Sequence, residues 1–185
     1  TLGGFLSRGN SQPMTIVGGQ GNDEFSVYAN KAALRLEGGV GDDTFLVRAF
    51  VRKDTGESAS EETTELDGGE GNDFIQYDIH APLSIDGGAG FDKVVVLGTE
   101  LGDAFVVTEN GVFGAGLNIS LSNTEELLEV DGLEGDDKFF ILGTAPNAIT
   151  SIIGGLGSDT INIGGDVTEE IYAMELEGRS GLIEH

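Results

Sequence analysis

Residues 38–47 read GGVGDDTFLV. Two glycines, a spacer, a third glycine and two aspartates make a tight turn, because glycine tolerates positive φ and aspartate bonds its own backbone. The residues that follow alternate, with Phe45 and Val47 on one side and Thr44 and Leu46 on the other. That two-residue period belongs to a strand with one buried face. Taken alone, the stretch is a turn entering a strand.

Working outward, the same pattern recurs. GGQGNDEF occupies 18–25, GGEGNDFI 68–75, GGAGFDKV 87–94 and GGLGSDTI 154–161. GLEGDDKF at 132–139 lacks the second glycine, and GTELGDAF at 98–105 is a weaker echo. An alternating apolar pair follows each copy: Phe25 and Val27, Ile75 and Tyr77, Val94 and Val96, Phe105 and Val107, Phe139 and Ile141, Ile161 and Ile163. Short apolar segments precede most of them (MTIV, ALRLE, LSID, LLEVD, SII). The unit is therefore strand, glycine-rich turn, strand, and the predicted class is all-β. SNTEELLEV (122–130) has a helix-cap-like start but runs into the next turn at strand spacing.

The turn aspartates fall at 23, 43, 73, 92, 137 and 159. Intervals of 20, 19 and 22 residues each hold two short strands and two turns, one coil of a parallel β-solenoid (a β-roll or β-helix). The longer interval from 43 to 73 contains the polar, acidic segment 52–65, expected as a surface loop. The interval from 92 to 137 contains the weak echo and the turn-like ENGVFGAG (109–116), expected as a seam. The expected organisation is a lead-in over 1–13, coils over 14–97 and 98–165, and a closing strand or linker over 166–185. The chain is expected to be part of a longer multidomain protein. Whether Asp92 and Asp137, 45 residues apart, stack is open at this point.

Composition narrows the partners. The chain of 185 residues carries 33 acidic and 9 basic residues, a formal net charge of -24. Such a surface repels nucleic acid and anionic membranes and attracts cations. Cysteine is absent, which excludes disulfides and thiolate metal sites. No apolar run reaches the length of a membrane span, so no membrane insertion is expected.

In a solenoid, equivalent turns stack at the strand spacing of about 4.8 Å. Aspartates stacked at that distance repel unless a cation lies between them. Glycine turns let backbone carbonyls serve as further oxygen donors. An all-oxygen donor set without His or Cys suits Ca²⁺, whereas Mg²⁺ prefers to keep its waters.

GGxGxDxUx, where U is a large apolar residue, resembles the nonapeptide of the RTX family of secreted calcium-binding β-rolls. GGQGNDEFS, GGVGDDTFL, GGEGNDFIQ and GGLGSDTIN carry the resemblance, which spans roughly residues 14–165. It implies a parallel β-roll with stacked glycine-rich calcium-binding turns and Ca²⁺ held between successive turns. The ligands it implies are Asp23, Asp43, Asp73, Asp92, Asp137 and Asp159. It further implies a secreted or cell-surface protein, such as a toxin, protease, lipase, adhesin or surface-layer protein. RTX arrays repeat every nine residues with calcium turns on both edges. Here the motif comes about once per coil, so calcium is expected on mainly one edge.

Asp42 and Asp136 are expected as solvated neighbours rather than ligands, and Glu37, Asp67, Asp86 and Asp131 as outward-facing. The phenylalanines are expected to stack in the core. Asn118-Ile-Ser fits a glycosylation acceptor, a triplet that also arises by chance. No catalytic constellation is evident: His80 and His185 have no motif partner, and P-loop, dinucleotide, HExxH and EF-hand patterns are absent. The expected role is non-enzymatic, a calcium-stabilised spacer or adhesion module. Two alternatives remain: a Ca²⁺-dependent β-helix polysaccharide lyase using Arg48, Arg52 and Lys53, and a module recognising a glycan or protein partner through the loop 48–65.

Overall fold

The computed structural model describes residues 9–28, 30, 32–48, 64–78, 82–114, 117–123 and 126–165. The segment 52–63, the residues Arg52, Lys53, His80 and His185, and the tail 166–185 lie outside the described residues. Among the described residues there are fifteen strands and no helix. The first eight are β1 (Met14–Gln20), β2 (Glu24–Val27), β3 (Leu34–Val40), β4 (Thr44–Val47), β5 (Thr64–Glu70), β6 (Phe74–Asp78), β7 (Pro82–Asp86) and β8 (Lys93–Leu97). The remainder are β9 (Ala104–Thr108), β10 (Gly111–Gly114), β11 (Leu117–Ser122), β12 (Leu127–Asp131), β13 (Lys138–Ile141), β14 (Ile149–Ile153) and β15 (Thr160–Ile163). Within the helix-like segment 122–130, Ser122 ends β11 and residues 127–130 belong to β12, where Leu128 and Val130 bury on one face as alternating residues do.

The strands form two sheets, one ordered β1-β3-β5-β7-β11-β10-β9-β13-β15 and the other β14-β12-β8-β6-β4-β2. Every strand but β10 pairs in parallel with a neighbour: Phe25 lies against Phe45, Phe45 against Ile75, and Ile75 against Val94. The protein is thus all-β with parallel sheets, an arrangement compatible with a β-solenoid or roll. Parallel pairing at this register places identical positions of successive repeats in one column, so a single alternating pattern fills the whole interior.

That interior lies between the sheets. Leu36, Leu66 and Ile85 line one side, and Phe45, Ile75, Val94 and Val130 the other, all at most 2% exposed. Phe25 and Phe45 stack with centroids 4.7 Å apart and planes 4° from parallel; Phe105 and Phe139 do so at 5.0 Å and 12°. Each such buried side chain contributes about 1.5–3 kcal/mol.

Antiparallel pairing enters once. β10 runs against both β9 and β11, so β9–β10–β11 is a meander inside an otherwise parallel sheet. Its consequence is topological. Up to β8, each glycine-rich turn leads from the nine-stranded sheet to the six-stranded one: β1 to β2, β3 to β4, β5 to β6, β7 to β8. From β8 on, the turns run the other way: β8 to β9, β12 to β13, β14 to β15. Apart from β10, strands within each sheet are parallel, so the two sets of turns lie on opposite edges. This corrects the expectation that the motif occupies mainly one edge. The meander consumes one extra pass across the sheet, and the motif shifts by half a repeat.

Candidate functional site: two ladders of buried carboxylates

Positive φ is what the turns demand of their glycines. Gly39, Gly41, Gly69 and Gly71 have φ of 114°, 136°, 105° and 142°. Left-handed backbone there lets the chain reverse from one sheet to the other while its amide groups bond the next turn. Gly41 N–H donates to Glu70 carbonyl, and Gly71 N–H to Ala89 carbonyl, both at 2.8 Å.

On this frame the turn aspartates connect directly. Asp23 N–H donates to Asp43 Oδ1 at 2.7 Å, Asp43 N–H to Asp73 Oδ1 at 2.8 Å, and Asp73 N–H to Asp92 Oδ1 at 2.9 Å. Asp92 N–H donates in turn to Glu126 Oε2. On the opposite edge, Asp103 N–H donates to Asp137 Oδ1 at 2.7 Å, and Asp137 N–H to Asp159 Oδ1 at 3.0 Å. Asp92 and Asp137 therefore do not stack on one another; each belongs to its own ladder. Of the six aspartates singled out by the motif, four sit on the first edge and two on the second.

Two members escaped the motif. Asp103 ends the weak echo GTELGD, and its distance of 11 residues from Asp92, half a repeat, was the available signal. Glu126 follows no glycine turn; its longer side chain reaches the position an aspartate holds elsewhere. A second, outer ladder runs the opposite way. Asp42 N–H donates to Asn22 Oδ1 at 3.0 Å, Asn72 N–H to Asp42 Oδ1 at 2.8 Å, Phe91 N–H to Asn72 Oδ1 at 2.9 Å, and Ser158 N–H to Asp136 Oδ1 at 2.8 Å. Asp42 and Asp136 are thus structural acceptors rather than merely solvated neighbours.

The inner carboxylates leave one oxygen over. Oδ2 of Asp23, Asp43, Asp73, Asp92 and Asp137 is buried and has no hydrogen-bond partner. Each points at the Cα of the first glycine of its own turn. A Cβ on Gly18 would lie 2.5 Å from Asp23 Oδ2 and 2.7 Å from Gly38 carbonyl oxygen. Gly38, Gly68 and Gly132 repeat this arrangement, each facing its own aspartate Oδ2 and the glycine carbonyl of the next turn. An orphaned carboxylate oxygen is costly in a dry interior. Burial accordingly pushes the carboxyls of Asp73 and Asp137 above their ordinary range, and that of Asp92 up to about 6.

These oxygens, with the glycine carbonyls beside them, are the groups that could hold a hard cation. Among the described residues, however, no three His, Cys, Asp or Glu side chains gather around one point. Any ion here would rely on one or two carboxylates per site, supplemented by carbonyls and water.

The remaining charged groups pair on the sheet faces. Arg35 reaches Glu37 at 2.6 Å on its own strand, and Glu65 at 3.0 Å and Asp67 at 3.2 Å on the neighbouring β5. Arg48 lies 3.8 Å from Asp78, and Lys93 3.3 Å from Glu129. Asn118 sits in β11, whose backbone pairs with β7 and β10 on its two sides. Comparison with family models, curated proteins and solved structures gave no match.

Proposed function

We propose that the chain is a calcium-binding structural segment of a larger secreted or cell-surface protein, a β-solenoid whose stacked turns are stabilised by Ca²⁺. Its role is that of a spacer or adhesion module rather than an enzyme. The observation that carries this reading is the recurrence in five turns of one orphaned, buried Oδ2 beside a backbone carbonyl, that of a glycine in four of them and of Asn123 beside Asp92. Anionic oxygens repeated at strand spacing call for counter-charge, and hard divalent cations with flexible coordination supply it. Asp23, Asp43, Asp73 and Asp92 would hold ions along one edge, with Glu126 at its end; Asp103, Asp137 and Asp159 would do so along the other. Because these ligands meet only when repeats stack, ion binding would be linked to folding.

A second reading rests on a different observation. Oδ1 of Asp43, Asp73, Asp92, Asp137 and Asp159 already accepts a backbone N–H, so the ladders have a purely structural use. On that reading the chain folds without metal and meets the cost of burial by retaining protons. A lyase gains nothing comparable, since Arg48 is occupied with Asp78 and the net charge opposes an anionic polymer.

Calorimetric titration with Ca²⁺ and with Mg²⁺, paired with thermal melts in EDTA, separates the two main readings. Calcium at a hundredfold excess over Kd contributes about 2.7 kcal/mol per independent site, or roughly 5–10 °C in Tm. Heat of binding and such a rise with Ca²⁺ but not Mg²⁺ are expected. No heat and an unchanged melt would leave the metal-free ladder.

A further inference from the structure

We infer that the two ends of the strand stack are complementary, so that the last layer of one copy of this chain docks on the first layer of a second copy, head to tail. The first layer is β1, the turn 18–23 and β2; the last is β14, the turn 154–159 and β15. In sequence they are the same unit, MTIVGGQGNDEFSV against TSIIGGLGSDTINI. The half-repeat shift made by the β9–β10–β11 meander sets the two units on opposite edges. Rotating a second copy by half a turn about the stacking axis brings β1 over β14 and β2 over β15, with strands parallel in both sheets.

In that register each column of side chains continues. Ile152 meets Ile16, Ile161 meets Phe25, and Ile163 meets Val27. The stack is open at Ile16, Ile161 and Ile163, whereas Phe25 and Val27 are already buried at the first layer. Ile163 is 82% exposed and Ile161 48%, although one layer in Phe139, beneath Ile161, is fully buried and Ile141, beneath Ile163, is partly buried. At the other end Ile16 is 39% exposed, where its counterpart Leu36 is fully buried. A groove of ≈ 380 Å³ lies there between Ile16, Val17, Phe25, Val27 and Leu36.

The polar ladder continues as well. Its bonds all run from an Asp N–H to a carboxylate oxygen of the next layer, so it ends with a donor on one face and an acceptor on the other. Among the described residues, nothing accepts from Asp159 N–H and nothing donates to Asp23 Oδ1. The docking places these two against each other. The local charge is small but of one sign: residues 149–163 contain Asp159 as their one ionisable side chain, and residues 14–27 contain Asp23 and Glu24, within a chain of net charge -24, so salt or Ca²⁺ is needed to offset their repulsion. Exposed edge strands with a free ladder of N–H and C=O groups are templates for such pairing. A heterologous contact of this kind does not close on itself and generates linear assemblies.

Sedimentation velocity on the full chain tests this, at moderate salt that screens the net charge, in EDTA and in Ca²⁺. The wild-type mass is expected to rise with concentration past that of a dimer without a plateau. Ile16→Asp blocks one end and Ile163→Asp the other; both side chains lie at open ends, and unchanged circular dichroism verifies folding. Each variant alone should stay monomeric, because one docking needs both faces. Mixing the two should give a species of twice the monomer mass and nothing larger. A wild-type chain that is monomeric at every concentration overturns the proposal, as it would if the chain's own flanking residues covered these ends. A plateau at dimer, or self-association of either variant alone, overturns it too.

Discussion

The two edges of the molecule use one motif under different constraints. On the first edge four consecutive turns carry both glycines of the GG pair, and the ladder runs without interruption from Asp23 to Asp92. On the second edge the turns at 98–103 and 132–137 each lack the second glycine, yet Asp103, Asp137 and Asp159 still form rungs of similar length. The first glycine and the aspartate are therefore the parts the ladder requires. The second glycine is a conformational convenience that the chain can forgo at a cost. Leu133, which replaces it, sits at φ 71°, a region β- and γ-branched side chains rarely adopt.

Adding a methyl at the first glycine of each edge sharpens this comparison most. At Gly68 a Cβ would run into both Asp73 Oδ2 and Gly87 carbonyl oxygen. At Gly98 the nearest atoms, Gly132 carbonyl oxygen, the Phe105 ring and Asp103 Oδ2, stand at 2.7, 3.0 and 3.1 Å. Gly68→Ala is expected to destabilise by about 3 kcal/mol and Gly98→Ala by about 1–2 kcal/mol, read from urea denaturation. Equal losses would mean that the first edge is no tighter than the second.

The buried carboxyls give an intermediate effect. Asp92 is pushed from 3.8 to about 6 chiefly by burial, so folding favours its protonated form. Its contribution is complete below pH 3.8 and is lost as the pH rises through about 6; Asp73 and Asp137 shift in the same direction for the same reason. In EDTA the Tm should therefore fall between about pH 4 and pH 6. Asp92→Asn keeps an oxygen acceptor for Asp73 N–H and removes the charge, so it should flatten most of that fall. If the variant melts with the same pH dependence as the wild type, the charge on Asp92 is not what burial opposes.

The smallest expected effect lies on the second edge. Leu133→Gly relieves the left-handed strain at φ 71° and should raise stability by about 1 kcal/mol, visible as roughly 2–4 °C in Tm. Destabilisation instead would show that Leu133 contributes more by packing than it costs in backbone strain.

Much of this was readable in the residues themselves. The alternating pairs after each turn identify the strands and the buried column, and the aspartates at 23, 43 and 73 lie where a ladder needs them. Asp103 was harder to see because its turn keeps only Gly98 of the motif's three glycines, with Leu101 at the third and Gly102 at a spacer position. Glu126 was invisible, since a glutamate in TEEL has no local signature of a rung. The outer acceptors Asn22, Asp42 and Asn72 read as ordinary turn polars until neighbouring turns supplied their donors.

By itself, then, the sequence determined the all-β class, the repeating strand–turn–strand unit and the residue types facing inward, because periodicity and glycine placement are local properties. The tertiary structure alone decided which edge each turn occupies and which aspartates share a ladder. Both depend on one antiparallel pass, β10, whose direction is set by pairing with β9 and β11 rather than by any residue within GVFG. A short hairpin reverses the chain without altering the strand pattern on either side. The half-repeat shift it produces leaves no trace in local periodicity and appears only when the strands are laid side by side.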